Sequence, residues 1–314
     1  MRRRPTRRWA VGVLVAVAVV AAVWGLWPWH HQSGDALAGW EVQVDLPMPV
    51  FSPDGIAVAS NGDVYVPEHE HIQKLPAGRF TPERVNIPGL SHTYGVAVGP
   101  TGDLFVGDYT NGRVFRVAAD TAAVSVLPFT GLGEQDPAST SRSIAAGVAV
   151  DHTGSVFVTD PDNSRVVKLS AGSDSQVVVS TVAHLSAPIA VSDNGDLVVT
   201  AGGPDSVDRL LILRTGATAF VETTVPALRG ISAIAFDHRG NLLLADNLRH
   251  DNPGDMDDSW TYEGRLWTIP AASTTPIRLP FTDLGEIGGI AVDPDDNILV
   301  TDSDGDRVLR LPRR

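Results

Sequence analysis

The chain has 314 residues, no cysteine, and 24 basic against 37 acidic side chains, which gives a formal net charge of −13 at pH 7. Without cysteine there are no disulfides and no thiol chemistry, and the negative charge argues against nucleic acid or anionic lipid as a partner. Thirty glycines, 22 prolines and an aromatic content of only 6% suit one large β domain with many turns.

The N-terminal part divides into three short regions. Residues 1–8 form a basic stub with five arginines, residues 9–29 an uncharged run with tryptophans near both ends, and residues 30–39 a polar linker. The run is just long enough to cross a bilayer. The arginines predict a cytoplasmic N-terminus and a single-pass anchor in the cell membrane, with the remainder extracytoplasmic. The alternative is a signal peptide that is cleaved, leaving a secreted protein.

Residues 40–314 contain six copies of one pattern. A Gly-[Val/Ile]-Ala-Val strand is followed by a turn with glycine, a second strand that ends in Asp, and a third strand that contains Arg-Val. The copies begin at Gly55, Gly95, Gly147, Pro188, Ala233 and Gly289. Their spacing of roughly 40 to 56 residues is the period of a propeller blade. The sequence therefore predicts an all-β fold, a six-bladed β-propeller.

A fourth strand is predicted after each of the first five copies, and a strand near the N-terminus supplies the sixth. The five segments are Arg84–Pro88, Val124–Pro128, Val177–Val182, Val221–Pro226 and Pro276–Pro280. Glu41–Pro47 alternates polar and apolar residues as a strand does. We expect it to pair with Arg307–Leu311, which closes the ring and leaves no open edge between blades.

The two faces of the predicted disc differ. The turns that join first and second strands are short and alike, which predicts a structural face. The opposite face receives two long segments, Gly131–Ser143 and Asn247–Glu263, and loops of that length are usually functional or disordered. We expect a ligand to bind on this second face. The candidate binding residues are His69, His71, His92, Tyr94, Arg142, Arg229, Trp260 and Tyr262.

An acidic residue recurs at the end of the second strand. It is Glu68, Asp108, Asp160, Asp246 or Asp302, and an arginine follows five residues later in three of the copies. One interpretation is a ring of carboxylates around a cation. The other is a repeated contact with arginine or backbone that fixes each turn. Repetition at constant spacing favours the second interpretation.

Three segments could hold a metal ion, although no pattern requires a cofactor. The acidic cluster Asp251, Asp255, Asp257 and Asp258 suits Ca²⁺ or another divalent cation. Asp302–Asp306 is similar to a calcium loop but aligns with plain hairpin turns. His69 and His71 would point the same way in a strand, and together with His92 they could bind zinc.

The repeat resembles the NHL repeat of six-bladed β-propellers, most clearly in Gly95–Val117, Gly147–Leu169 and Gly289–Leu311. Val126–Leu132, echoed by Leu279–Leu284, is similar to the extracellular sensor propeller of actinobacterial receptor Ser/Thr kinases. This resemblance implies a sensor domain. Only eight residues precede the apolar run, so we expect this chain to lack the kinase and a signalling output to need a partner protein.

Three classes of function follow. A membrane-anchored module that binds a protein, a peptide or an envelope glycan needs no catalytic set, and we favour it. A metal-dependent hydrolase or lyase is the alternative, because related propellers include gluconolactonase-like enzymes. However, the matching segment Ser52–Asp54 lacks the glutamate of those enzymes, and there is no Gly-x-Ser-x-Gly elbow. A scaffold for envelope proteins is the third class.

Overall fold

The computed structural model describes residues 39–133, 147–203, 207–225, 228–251, 260–271 and 273–314. They form six four-stranded antiparallel sheets. The chain is a six-bladed β-propeller. The predicted stub, membrane segment and nearly all of the linker lie outside the described residues, and within the described ranges no helix is long and apolar enough to cross a membrane.

Each blade contains four strands that follow one another in space. The strands of blades one to three are β2 (Ala57–Val58), β3 (Val64–Glu68), β4 (His71–Leu75), β5 (Glu83–Val85), β6 (Thr93–Val98), β7 (Leu104–Asp108), β8 (Arg113–Val117), β9 (Val124–Val126), β10 (Val148–Val150), β11 (Val156–Asp160), β12 (Arg165–Leu169) and β13 (Gln176–Thr181). Those of blades four to six are β14 (Leu185–Val191), β15 (Leu197–Gly202), β16 (Asp208–Leu213), β17 (Val221–Thr224), β18 (Ile231–Phe236), β19 (Leu242–Asp251), β20 (Trp260–Ile269), β21 (Ile277–Arg278), β22 (Ile287–Val292), β23 (Ile298–Asp302), β24 (Arg307–Leu311) and, from the N-terminal side, β1 (Val44–Asp45).

The predicted closure of the ring is confirmed. Strand β1 pairs antiparallel with β24, with Val44 opposite Arg310. The Leu46 N–H donates to the Val308 carbonyl at 2.9 Å, and a further bridge joins Trp40 to Arg313. The Arg313 guanidinium lies 4.9 Å from the centre of the Trp40 ring. The N-terminal strand therefore completes the sixth blade.

The core consists of six apolar layers, one between each pair of consecutive blades. The second strand of a blade is enclosed on both sides, so all five residues of Val64–Glu68, Leu104–Asp108, Val156–Asp160 and Ile298–Asp302 are buried. Two-sided burial explains why these strands are apolar at nearly every position rather than at alternate ones.

Around the central channel the innermost strands approach so closely that side chains do not fit. A Cβ atom on Gly55 would lie 2.8 Å from the Tyr94 carbonyl oxygen, and one on Gly288 would lie 2.4 Å from that of Pro53. A Cβ on Gly289 would lie 2.7 Å from the Gly55 Cα. Glycine thus lets the backbones of blades six, one and two come together.

The recurring acid is the centre of a structural clamp. The buried Asp160 carboxylate accepts from Arg165 at 2.7 Å, and the same guanidinium donates to the Gly131 carbonyl in the segment that arrives from blade two. Equivalent pairs are Asp108–Arg113, Asp246–Arg265 and Asp302–Arg307. Arg113 and Arg307 also bond a carbonyl in the crossover segment, those of Gly89 and Asp283. The predicted structural role is confirmed.

One segment differs from its prediction. Most of Asn247–Glu263 was expected to be a loop, but Asn247–Asp251 and Trp260–Glu263 extend β19 and β20 into a long hairpin, with Asp251 opposite Trp260. Backbone pairing holds these polar residues in strand conformation. Arg249 also stacks on Trp260, with its guanidinium 4.4 Å from the ring centre. The residues between them, and those after Gly133 in the other long segment, lie outside the described part.

Deletion of residues 40–47 would remove the closing strand and leave the edge of β24 open. We expect the melting temperature of the protein to fall on the order of 10 °C, because several backbone hydrogen bonds and the packing of Trp40 and Leu46 are lost. Val42→Ser, at a position where the side chain is 82% exposed, should leave it unchanged. Equal melting of the deletion variant and the wild type in calorimetry would contradict this account of closure.

Replacement of Arg165 by Met would leave the Asp160 carboxylate buried without its charge partner. We expect unfolding in urea to show a loss of about 3–5 kcal/mol. The matched control is Arg214→Met, because the Arg214–Asp196 pair spans 2.5 Å but the arginine is 64% exposed. Exposed pairs contribute no more than about 1 kcal/mol, so equal losses in the two variants would show that the clamp does not depend on burial.

Candidate functional site at the channel mouth

The innermost strands enclose a cavity of about 120 Å³ where all six of them begin. Most of its wall is backbone and small apolar side chains, and the polar side chains on it are Asp54, Tyr94 and Ser232. Asp54 lies three residues before the first strand of blade one, and Tyr94 is in the first strand of blade two. The cavity opens on the variable face, so the mouth of the channel is the candidate site.

Six side chains from three neighbouring blades meet at this mouth, and we call them the channel-mouth cluster. They are Asp54, His69, His92, Tyr94, Tyr109 and Glu286. In the repeat they occupy only three positions. Asp54 and Tyr94 precede the first glycine, His92 and Glu286 lie three residues before it, and His69 and Tyr109 follow the recurring acid. The regularity of the blades therefore brings these variable positions together.

Backbone hydrogen bonds and ring contacts position the aromatic members. The Tyr109 N–H donates to the His92 carbonyl at 2.7 Å, and the Thr93 N–H donates to that of His69 at 3.0 Å. The His69 and His92 ring centres are 5.0 Å apart with perpendicular planes. The rings of His92, Tyr94 and Tyr109 form a triangle with centres 5.6 to 6.1 Å apart. These spacings are typical of aromatic contacts.

The two carboxylates of the cluster are held in an unfavourable environment. Burial raises the pKa of Asp54, although the charges of His92 and His69 oppose the shift. Burial also raises the pKa of Glu286, and the negative charges of Asp304 and Asp54 add to that rise. The pKa of Tyr94 is raised for the same reasons, by burial and then by Asp54, Glu286 and Tyr109. Negative charge at the mouth is thus poorly compensated.

Of the predicted binding residues, the structure brings His69, His92 and Tyr94 into one cluster. His71 lines a neighbouring surface pocket together with His69 and pairs with Glu68 at 2.8 Å. The expectation that His69 and His71 point the same way in a strand was wrong. β3 ends at Glu68, and His69 has a φ of 41° in the turn before β4. A left-handed residue in a turn breaks the strand alternation on which the zinc hypothesis depended.

The remaining predicted residues lie elsewhere or outside the described ranges. Trp260 is half-exposed and stacks on Arg249, which is also paired with Asp251. Tyr262 lies opposite Arg249 on the same hairpin, and Arg229 is exposed just before β18. Arg142 is outside the described part.

The described residues do not fit a metal ion. No group of three or more His, Asp or Glu in the described ranges is placed to bind one. Asp255, Asp257 and Asp258 of the predicted acidic cluster lie outside these ranges. In the segment similar to a calcium loop, the carboxylates accept hydrogen bonds instead, Asp304 from the Glu286 N–H and Asp306 from the Ser52 N–H.

Sequence reasoning missed Asp54, Tyr109 and Glu286 as site residues. All three stand at repeat positions where the six copies differ: the position of Asp54 carries Tyr94, Ala187 or Gly288 in other copies. A comparison of the six copies position by position would have marked these positions as variable. The signal was present, but the aligned glycines and aspartates were the stronger pattern.

Solved structures with the same fold have differing activities. A gluconolactonase from Xanthomonas campestris superposes with a TM-score of 0.62 at 14% identity, over 87% of this chain and 89% of that chain. Virginiamycin B lyase from Staphylococcus aureus superposes with a TM-score of 0.60 at 12% identity, over 87% of this chain and 99% of the lyase chain. A chain of a nidogen/laminin complex superposes with a TM-score of 0.62 at 15% identity, over 79% of this chain and 88% of that chain.

No protein-family profile and no curated protein sequence matches the chain. The structural likeness, at identities below 25%, shows the propeller fold alone. It includes enzymes and a protein–protein complex, and so the function has to be argued from the residues of the site.

Asp54→Asn should stabilise the protein at neutral pH, since it removes a charge that burial disfavours. A carboxyl group whose pKa is raised on folding costs stability while ionised, and that cost disappears as the pH falls through the folded-state pKa. We expect the melting temperature to rise by roughly 1–3 °C at pH 7, and the gain to vanish in acid.

Asp103→Asn is the matched control with the opposite sign. Burial alone would raise the pKa of Asp103, but hydrogen bonds from Ala119, Arg116 and Thr101 outweigh it and lower that pKa. Its carboxylate therefore stabilises the fold above the unfolded-state pKa, and this contribution is lost as the pH falls through the lower folded-state value. The substitution should lower the melting temperature at pH 7. Destabilisation by both variants would contradict the environment described for Asp54.

Proposed function

We propose that this propeller is a binding module whose ligand docks at the channel mouth. The observation that carries the proposal is the contrast between two sets of acids on one face. The recurring aspartates are buried and matched with arginine, whereas Asp54 and Glu286 are half-buried and form no salt bridge within the described ranges. Groups that the fold does not use for its own stability, gathered at a cavity, are typical of a ligand site.

The cellular setting that we propose follows from the N-terminal sequence. Five arginines before an apolar run support a membrane anchor with the propeller outside the cell. The similarity to the sensor propeller of receptor kinases supports a sensing role in which a separate protein transmits the signal. Peptides, envelope glycans and other small polar molecules are the ligands that could reach such a site.

A second candidate function is acid–base catalysis as a hydrolase or lyase. It is favoured by one observation, the pair of carboxyl groups with raised pKa beside His92 and Tyr94. A carboxyl group of this kind keeps its proton to a higher pH than an ordinary one, so it can serve as a general acid closer to neutral pH. The structural neighbours that are gluconolactonases and lyases fit this alternative as well as they fit the binding module.

Binding at the channel mouth can be tested by the thermal stability of the full-length protein with a panel of amines, sugars, lactones and short peptides. We expect at least one class to raise the melting temperature of the wild type, since a ligand present at 100 times its Kd adds about 2.7 kcal/mol. Tyr94→Ala should abolish the shift. Phe80→Ala, at a side chain that is 83% exposed in the turn between β4 and β5, should retain it.

The proposal fails if no compound stabilises the wild type or if the shift survives Tyr94→Ala. Turnover of the same lactones distinguishes the second function. Hydrolysis that is lost in Asp54→Asn and Glu286→Gln, but kept in Asp120→Asn at an exposed turn, would show catalysis rather than binding alone.

A further inference from the structure

A second pocket lies next to the channel mouth on the variable face of blade one, and we call it the blade-one pocket. Its volume is about 240 Å³. Its lining residues come from the segment that enters the blade, from the β3–β4 hairpin and from β5, and they are Phe51, Glu68, His69, Glu70, His71 and Arg84. The Phe51 side chain is 69% exposed. Aromatic side chains in this situation are enriched at surfaces that bind a partner.

The backbone at Phe51 is fixed by side chains of two blades. The Phe51 N–H donates to one Glu68 carboxylate oxygen at 2.6 Å, and the other oxygen pairs with His71 at 2.8 Å. The next residue is held as well, since the Ser52 N–H donates to Asp306 at 2.8 Å. Blade one therefore uses its copy of the recurring acid to hold the entering segment, and this fixes the point from which the Phe51 ring projects.

His69 belongs to both openings. It lines the blade-one pocket, and in the channel-mouth cluster its ring centre lies 5.0 Å from that of His92. It is also close enough to Asp54, which lines the channel cavity, for the charges of the two side chains to interact. The channel cavity and the blade-one pocket are therefore neighbours, with His69 between them.

The backbone of His69 is unusual for a residue with a side chain. Glu68 pairs directly with His71, so that only two residues join β3 to β4, whereas four residues join the corresponding strands in blades two, three and six. His69 is the first residue of this turn and has a φ of 41°, a conformation for which glycine is preferred. A bulky residue kept in such a conformation between two pockets favours a functional role for its side chain.

The sizes of the two pockets indicate an elongated ligand. Volumes of about 120 and 240 Å³ are both below the roughly 300–1,000 Å³ of pockets that take a drug-sized molecule. In an extended peptide, side chains two residues apart point the same way at a separation of about 7 Å. The exposed Glu70 and Arg84 supply an acceptor and a donor for backbone amides, and Phe51 supplies an apolar contact.

We propose that an extended peptide binds across both pockets, with one side chain in the channel cavity and an apolar side chain, two residues away, against Phe51. His69 contacts the peptide between these points, and Glu70 and Arg84 bond its backbone. A peptide is favoured over a glycan because an apolar side chain beside amides matches a ring beside a carboxylate and a guanidinium. The inference rests on the proposed function, since it requires a ligand site at the channel mouth.

The test is a selection of phage-displayed random peptides of about 12 residues on the full-length wild-type protein. The enriched peptides are then labelled with a fluorophore, and their binding to variants is measured by anisotropy. We expect His69→Gly and Phe51→Ser each to weaken binding about tenfold or more, because each removes a side chain that contacts the peptide. Tyr94→Ala should weaken binding as well.

His184→Gly is the matched control. His184 is also an exposed histidine with a positive φ, 58°, but it lies in the crossover to blade four, three blades from the pocket. Both glycine variants should keep or raise the melting temperature, because glycine adopts this conformation without strain. Only His69→Gly should lose peptide affinity. Equal peptide affinity of the two variants would overturn the inference.

The remaining outcomes separate this inference from the proposed function. If small polar compounds stabilise the wild type in a Tyr94-dependent way while no enriched peptide depends on Phe51 or His69, the channel mouth stands as a ligand site and the extended peptide is wrong. The peptide is also wrong if only oligosaccharides bind in a Phe51-dependent way, or if peptides bind without any dependence on Tyr94. If neither peptides nor small compounds depend on Tyr94, the inference and the proposed function both fail.

Discussion

The structure depends on how closely six strands can approach around one narrow channel. Glycine at the inner end of the blades removes the side chains that would keep the backbones apart, so that a Cβ on Gly147 would lie 2.1 Å from the Ala187 carbonyl. This crowding brings the beginnings of neighbouring strands together. Residues far apart in sequence, such as Asp54, Tyr94 and Glu286, become neighbours because the strands that carry them converge.

The same face contains acids in two different situations. At the recurring position, each buried aspartate has an arginine, and in three of the four pairs the guanidinium also bonds the crossover segment. At the channel mouth, burial raises the pKa of Asp54 and of Glu286, so that the charged form of each carboxyl group is disfavoured. Functional sites commonly retain such unfavourable groups, which the remainder of the fold must support. Here the support comes from six apolar layers between blades.

Much of the fold could be predicted from the sequence because it repeats. The six copies, the glycine turns and the pairing of Glu41–Pro47 with the last strand follow from period and alternation, and the structure confirms them. The clamp was also predictable, since acid and arginine keep a spacing of five residues. These features depend on contacts within one blade or on the rule that a ring must close.

The site could be predicted only in part, because it depends on contacts between blades. His69, His92 and Tyr94 were recognised as aromatic or titratable residues on the variable face, but their acidic neighbours Asp54 and Glu286 were not. The extended hairpin of blade five was missed for a different reason. Asn247–Asp251 is almost entirely polar, so it lacks the alternation that reveals a strand, and only its pairing partner makes it one.

The way the ring closes has a consequence for how the protein folds. Strand β1 is among the first described residues to be synthesised and β24 is among the last, so β1 has no partner until the sixth blade has been translated. Contacts between distant parts of a chain slow folding, because a long loop must be ordered before they form. Until β24 has formed, Trp40 and the edge of β1 remain uncovered.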